Sequence, residues 1–291
     1  MKLEATAAVV TGSAGGLGRG IAFALARAGA DVVVADIDSQ GAERTAAEIA
    51  AATGRKVLAF RCDVSDPASI ESLADFAFER LPHLTMLFNN AGVVAAAPVL
   101  DTTPGDLQWQ FGVNVFGVWN GSVIFARRFI DKGIKAWICN TASENGLAAA
   151  SIGTAAYTAA KHAVIGMTDA FRIEFAGSLG FSVICPGIVN TGMWNAGRNR
   201  PEKFGGKFEG NPINQKAMTF GIDPEEAGRL VVKAVADEHF FVFTHRHVAG
   251  VAEQRWHEIE KAAKAQLPVD DGALSTLEIQ RRLMEQLAGS A

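Results

Sequence analysis

Residues Thr6 to Asp36 leave this chain few folds to choose from. A run of β-branched residues and Ala, Thr6 to Val10, meets the glycine loop Thr11-Gly12-Ser13-Ala14-Gly15-Gly16-Leu17-Gly18. A helical pattern follows from Leu17 to Ala28 and closes at Gly29. Asp31 to Ala35 then reads as a second strand, apolar after its first residue, and it ends at Asp36. Strand, glycine loop, helix and strand make a βαβ unit, the frame that a dinucleotide fingerprint requires. Glycines let the backbone approach a pyrophosphate, and the helix N-terminus adds amide donors and a favourable dipole. Asp36 stands 18 residues beyond Gly18, close to the spacing of a carboxylate that binds an adenosine ribose.

The alternation continues down the chain. Helices are predicted at Ser39 to Ala52, from Asp66-Pro67 to Arg80, and from Thr103-Pro104 towards Phe129. Further helices follow at Ala155 to Leu179 and from Asp223-Pro224 to Asp237. Strands are predicted at Val57 to Cys62, Met86 to Phe88, Ala136 to Asn140, Phe181 to Cys185 and Phe240 to Thr244. Asp followed by Pro supplies an N-cap and a preset first helical residue. Strands alternating with helices predict an α/β fold, a doubly wound parallel sheet of the Rossmann type. We expect a single domain over 1–245, with a lid at about 191–222. A helical extension over 246–291, Val248 to Gln266 and Ser275 to Leu287, should pack on the same domain. It would cover either the active-site mouth or a neighbouring subunit.

The one tyrosine in the chain is Tyr157, with Lys161 four residues later and Ser143 fourteen residues earlier. On a helix, positions i and i+4 share a face, so the Lys161 ammonium can approach the phenol and favour the phenolate. A fall of two or three units from a pKa of ~10 would suit a general acid/base near neutral pH. Ser143, in the loop after a strand, could hydrogen-bond a reacting oxygen. An ordinary helix Tyr and a solvated Lys would give the same spacing.

Taken together, these residues resemble the short-chain dehydrogenase/reductase family over about Ala5 to Thr244. Thr11-Gly12 with Gly16 and Gly18 is similar to its TGxxxGxG loop. Asn89-Asn90-Ala91-Gly92 is similar to its NNAG segment, and Asn114 aligns with its active-site Asn. Ser143, Tyr157 and Lys161 complete a Ser-Tyr-Lys set, and Pro186-Gly187 with Thr191 resembles the segment over the nicotinamide. The resemblance implies hydride transfer between nicotinamide and an alcohol or carbonyl. In it Tyr157 is acid/base, Ser143 positions the substrate oxygen, Lys161 lowers the phenol pKa and holds the ribose, and Asn114 supports a proton relay. It also implies cofactor contacts from Gly12, Ser13, Gly16, Leu17, Gly18, Asp36, Ile37, Asp63, Val64, Asn90, Ala91, Gly92, Tyr157, Lys161, Pro186, Gly187, Ile188 and Thr191. NADP-users of the family place a cation where this chain has Gly15 or Ile37, so NAD is the expected cofactor. A homodimer or homotetramer is implied as well. Two rivals are an epimerase or lyase using bound NAD, which usually shows TGxxGxxG, and a catalytically silent dinucleotide-binding protein, against which the intact triad argues.

Composition narrows the partners. A net charge of −4 offers no basic footprint for nucleic acid. The three cysteines lack CxxC spacing, and His245 and His247 alone are close together, so neither a disulfide framework nor a metal site is expected. The chain enters strand sequence at once without a signal-peptide pattern, and its longest apolar run, Ala91 to Leu100, is too short for a bilayer. No membrane association and a cytoplasmic location are the expectations.

Thr191 to Ile222 is long for a connection without function. It holds Met193, Trp194, Phe204, Phe208, Met218 and Phe220 beside an excess of Lys and Arg. These aromatics either pack on the body as an ordinary loop or face a large ligand. Asn199 to Phe204 and the Thr244-His245 turn resemble a branch acting on bulky aryl compounds. That branch includes NAD-dependent Cα-dehydrogenases that oxidise lignin-derived β-aryl ethers; a steroid or terpenoid alcohol is the alternative. Val94, Leu147, Ile152, Met193 and Trp194 are the expected apolar walls. Ala95 to Ala97 would leave room, and the lid's cations would meet phenolate, methoxyl or carboxylate groups.

Overall fold

The computed structural model describes residues 1–147, 152–267 and 272–288. Seven strands form one sheet: β1 (Ala7–Thr11), β2 (Asp31–Asp36), β3 (Val57–Arg61), β4 (Leu84–Asn89), β5 (Ala136–Thr141), β6 (Leu179–Cys185) and β7 (Phe241–Phe243). Their order is β3-β2-β1-β4-β5-β6-β7, and every pairing is parallel. The order reverses beside β1, the switch point where such sheets bind ligands at their carboxyl ends.

A parallel sheet covered on both faces needs strands apolar on both faces, and β1 is buried at every residue. Successive side chains point to opposite faces. Accordingly Val9 packs with Val33, Leu87, Phe125 and Phe129, whereas Ala8 and Val10 pack with Val32, Val34, Phe88 and Ile184.

Caps set where the helices start. α1 (Gly16–Arg27) begins inside the glycine loop. Asp38 accepts from Gly41 N at the start of α2 (Ser39–Thr53), and Asp66 from Ala68 N at α3 (Pro67–Arg80). Thr103 and Asp106 form a reciprocal capping box on α4 (Pro104–Phe111). The long helix predicted from Thr103 is not continuous. A π-helical turn at Gly112–Phe116 separates α4 from α5 (Gly117–Asp131). α6 (Ala155–Glu174) stops before Leu179, because Leu179 pairs with Ala136 as the first residue of β6.

The lid is also more ordered than a loop. It contains 3₁₀ turns at Gly192–Asn199 and Glu202–Phe204, then α7 (Pro212–Met218). Its two ends meet: Asn190 N donates to Ile222 O at 2.9 Å, and Ile222 N to Ile188 O at 3.1 Å. α8 (Pro224–Ala236), capped by Asp223, follows directly. It crosses α1 backbone to backbone, where a Cβ on Gly20 would collide with the Pro224 carbonyl.

α9 (His247–Gln266) and α10 (Thr276–Ala288) complete the chain. The structure divides into two compact units, Met1–Ala252 and Glu253–Ala291. In the second, Trp256 and Ile259 are exposed. Among the described residues, no helix is long and apolar enough to cross a membrane.

Candidate active site

β1 delivers the glycine loop to the carboxyl edge of the sheet. A Cβ on Gly18 would collide with the Gly12 carbonyl and lie 2.5 Å from Asn90 Nδ2, so only glycine lets helix, loop and NNAG segment close together. Thr11 Oγ1 accepts from Asn90 N at 3.0 Å and Ala91 N at 3.1 Å, and Asn90 Nδ2 donates to Thr11 O at 3.0 Å. Ser13 is fully buried and gives its hydroxyl to Val10 O at 2.7 Å, while Leu17 packs against the core. Those two side chains support the loop from below.

At the end of β2, Asp36 accepts from Ala14 N and Asp38 N, both at 3.0 Å. Burial raises its carboxyl above the usual carboxylate range, and the two backbone donors, with Arg198 of the lid, oppose that rise. Asp63 follows β3 and takes Ser65 N and Oγ at 2.9 and 2.7 Å; Val64 packs against Gly117. This edge therefore offers a glycine cradle, the N-terminus of α1 and a carboxylate, which together fit a dinucleotide.

The π-turn re-aims Asn114. Its side chain is buried and bonds Val93 twice, Oδ1 accepting from the amide at 2.9 Å and Nδ2 donating to the carbonyl at 2.8 Å. A Cβ on Gly92 would lie 3.3 Å from Asn114 Oδ1 and 3.6 Å from Lys161 Nζ, so these three residues share one pocket floor. Single π-turns inside helices occur frequently at functional sites.

Ser143 caps a short 3₁₀ turn (Glu144–Gly146) after β5, and its side chain lies near enough to Tyr157 to lower the phenol pKa. Lys161, 1% exposed, donates to Thr141 O at 2.8 Å and lies 5.5 Å from the centre of the Tyr157 ring. Ser143, Tyr157, Lys161 and Asn114 thus lie in one region of the structure, with Lys161 one turn from Tyr157. Their electrostatics differ from expectation. Burial pushes the Tyr157 phenol up to about 12; the Ser143 side chain lowers it and the Glu144 charge raises it. Burial also pushes Lys161 down to about 8. Desolvation outweighs the pairing expected from the i, i+4 spacing.

Across the site, Pro186 O accepts from Glu144 N at 3.0 Å and Gly187 N donates to Thr244 Oγ1 at 3.3 Å. Ile188 is exposed, and Thr191 caps the first lid turn by accepting from Met193 N. A cleft of about 370 Å³ lies between Val94 and Ala96 on one side and Trp194, Phe208, Glu209, Gly210, Asn211, Pro212 and Asn214 on the other.

Residues 6–202 match the family model described as short chain dehydrogenase. The chain is a short-chain dehydrogenase. It is 34% identical to 1-deoxy-11-beta-hydroxypentalenate dehydrogenase of Streptomyces exfoliatus, over 84% of this chain and 85% of that one. It is 37% identical to L-2,3-butanediol dehydrogenase of Corynebacterium glutamicum, over 77% and 89%. A C alpha-dehydrogenase of a Sphingobium species shares 31% over 87% and 84%. A solved short chain dehydrogenase/reductase from Burkholderia phymatum in complex with NAD superposes with TM-score 0.83 at 32% identity, covering 94% of this chain and 99% of that one. LigD of Sphingobium, in its apo form, superposes with TM-score 0.74 at 27% identity, over 89% and 97%. As a short-chain dehydrogenase, the protein is a nicotinamide-dependent oxidoreductase of alcohols and ketones.

Within this dehydrogenase, the expected apolar walls divide. Val94 and Trp194 line the cleft. Leu147 instead packs into the core with Val164 and Val183, Ile152 is fully exposed, and Met193 is not among the residues of the cleft. Three of the lid's five cations are placed at another cleft. Arg198, Arg200 and Lys207 line a second cleft beside Ile37 and Asp38, and Arg200 makes a largely buried 2.9 Å ion pair with Asp106 of α4.

Sequence reasoning missed the polar ties beneath the site. Asn89 donates to Asn140 at 2.9 Å and Ser122 at 3.1 Å, and Asn140 to Thr168 at 3.1 Å, so buried side chains join β4, β5, α5 and α6. It also missed Glu144, whose carboxylate meets His247 Nε2 at 2.7 Å. A polar residue inside an apolar strand, as at Asn140, was the available signal.

Proposed function

We propose that the chain is an NAD-dependent dehydrogenase of a bulky aromatic secondary alcohol, of the benzylic, β-aryl-ether kind, and of the matching ketone. The observation that carries this reading is the cleft in which Trp194 and Phe208 face the small residues Val94 and Ala96. Two indole and phenyl walls present flat apolar area suited to an aryl ring. Glu209, Asn211 and Asn214 at the same cleft would accept from or donate to ring hydroxyl and ether oxygens. The likeness to the C alpha-dehydrogenase supports the same substrate class.

In this reading a bound nicotinamide would supply or take the hydride, and the chain's residues manage the proton. Tyr157 takes the hydroxyl proton of the alcohol and returns it during ketone reduction. Ser143, beside Tyr157, orients the substrate oxygen. Lys161 holds ribose hydroxyls, and Asn114 keeps the floor of the site in register through Val93.

A terpenoid alcohol is the competing substrate, favoured by the pentalenate relative and by the apolar part of the cleft. Steady-state kinetics on a β-aryl ether model, a polycyclic terpenoid alcohol, 2,3-butanediol and 2-propanol separate the readings. We expect the highest kcat/KM for the aryl ether. Equal efficiency on 2-propanol would remove the aryl assignment. Trp194→Ala should raise KM for aryl substrates about tenfold, the worth of roughly 60 Å² of apolar contact, and leave KM for 2-propanol unchanged.

NAD, rather than NADP, follows from Asp36, which accepts from a ribose hydroxyl and repels a 2′-phosphate. Asp36→Ala should weaken NAD binding about tenfold, as for a lost hydrogen bond to a charged group, and improve NADP. A wild-type enzyme that already prefers NADP would overturn this assignment.

A further inference from the structure

The first arm of the lid runs beside the adenosine half of the dinucleotide site. At its base, a Cβ built on Gly16 would lie 3.1 Å from Thr191 Cγ2, so Thr191 packs on the loop at the N-terminus of α1. At its far end Arg198 reaches the turn after β2. There Ile37 and Asp38 face Arg198, Asn199, Arg200, Pro201, Glu202 and Lys207 across a cleft of about 400 Å³. The Arg198 charge also bears on Asp36, lowering its carboxyl against the effect of burial. Two fixed points therefore set the course of the arm, one beside the pyrophosphate-binding loop and one beside the ribose-binding acid.

The charges of this cleft are mixed in a useful way. Asp38 is paired at 4.0 Å with Arg44, Glu202 packs against Gly206, and Arg200 is committed to Asp106. Arg198 Nη1 donates to the carbonyls of Gly192 at 3.2 Å and Asn195 at 2.8 Å, which fixes its direction. A guanidinium carries five donors in a rigid fork, so three N–H groups remain beyond those two bonds. Acids here suit ribose hydroxyls, and the two cations suit phosphate oxygens.

We propose that the arm Thr191–Arg198 is a wall of the cofactor site, with Arg198 and Lys207 contacting the ribose-phosphate of the adenosine half. This rests on the dinucleotide reading given above. Trp194 lies on the same arm and lines the substrate cleft. The cofactor therefore sets the position of a substrate wall, and each ligand tightens the other by the same factor.

ADP-ribose tests this, because it carries the adenosine half and the pyrophosphate without the nicotinamide. Its Kd is measured by calorimetry on the full chain. Arg198→Met and Lys207→Met should each raise that Kd about tenfold, as for one lost charge-assisted hydrogen bond. Arg198→Lys should recover part of the loss, and Lys203→Met, a lid cation outside the cleft, should leave the Kd unchanged. ADP-ribose should also change Trp194 emission, read as the difference from Trp194→Phe, and the change should vanish in Arg198→Met. Wild-type Kd in both Met variants overturns the proposal. So does an effect of Arg198→Met alone, since that would assign the arginine only to bracing Gly192 and Asn195. A wild type that binds neither ADP-ribose nor NAD would instead overturn the dinucleotide reading itself.

Discussion

Tyr157→Phe is expected to cut kcat by about 10²–10⁴-fold, the usual worth of a positioned proton donor or acceptor. The ring stays in place, so folding and NAD affinity should match wild type in thermal melts and calorimetry. The chain has no other tyrosine, and the phenol lies beside Ser143. With its phenol pushed up to about 12, Tyr157 is protonated near neutral pH, the state that donates to the developing alkoxide in ketone reduction. Activity within threefold of wild type would remove Tyr157 from the chemistry.

Lys161→Met should abolish most activity and yet make the protein more stable. The ammonium is 1% exposed and burial moves it from 10.5 to about 8. Below pH 8 both folded and unfolded chains are protonated, and the folded state bears the full penalty of a buried charge, ~3 kcal/mol at 1.36 per unit. Between pH 8 and 10.5 the unfolded chain binds more protons, so this penalty is relieved and wild-type stability rises with pH. Methionine removes the charge and keeps the volume, at a cost of ~1 kcal/mol for the Thr141 carbonyl left without its donor. We expect a net gain of about 2 kcal/mol at pH 7 that shrinks towards pH 10.5. The measurement is denaturant unfolding of both proteins at pH 7 and pH 10. A less stable variant at pH 7 would show that Lys161 is not a strained buried charge. Such a trade of stability for function is common in active sites.

The legibility of this protein varied with the range of the interaction. The glycine loop, Asp36 and the alternating strands were readable because each depends on neighbours in sequence. The Asn114 turn was not, since one extra residue in a helical turn leaves the 3.6-residue pattern intact on either side. Asp106 and Arg200 meet across distant parts of the chain, so nothing local in either announces the pair. Leu147 reads as a pocket wall on hydrophobicity alone, a property shared by the core it packs against. The phenol shift followed the same logic. Spacing placed Lys161 beside Tyr157, but burial decides both pKa values, and burial belongs to the whole fold.

The meeting of the lid's two ends at Ile188, Asn190 and Ile222 has a consequence for how this enzyme could change. A segment that leaves and returns at one point can be exchanged without moving the sheet, because neither foot shifts. Altering its length costs little, about 0.6 kcal/mol for each doubling of a flexible loop. Pinning of α8 to α1 at Gly20 holds the return foot in place. Residues 191–222 therefore constitute a cassette. Grafting the corresponding segment from a relative with a different substrate should transplant selectivity onto an unaltered catalytic base, which makes the lid the natural unit of diversification and redesign.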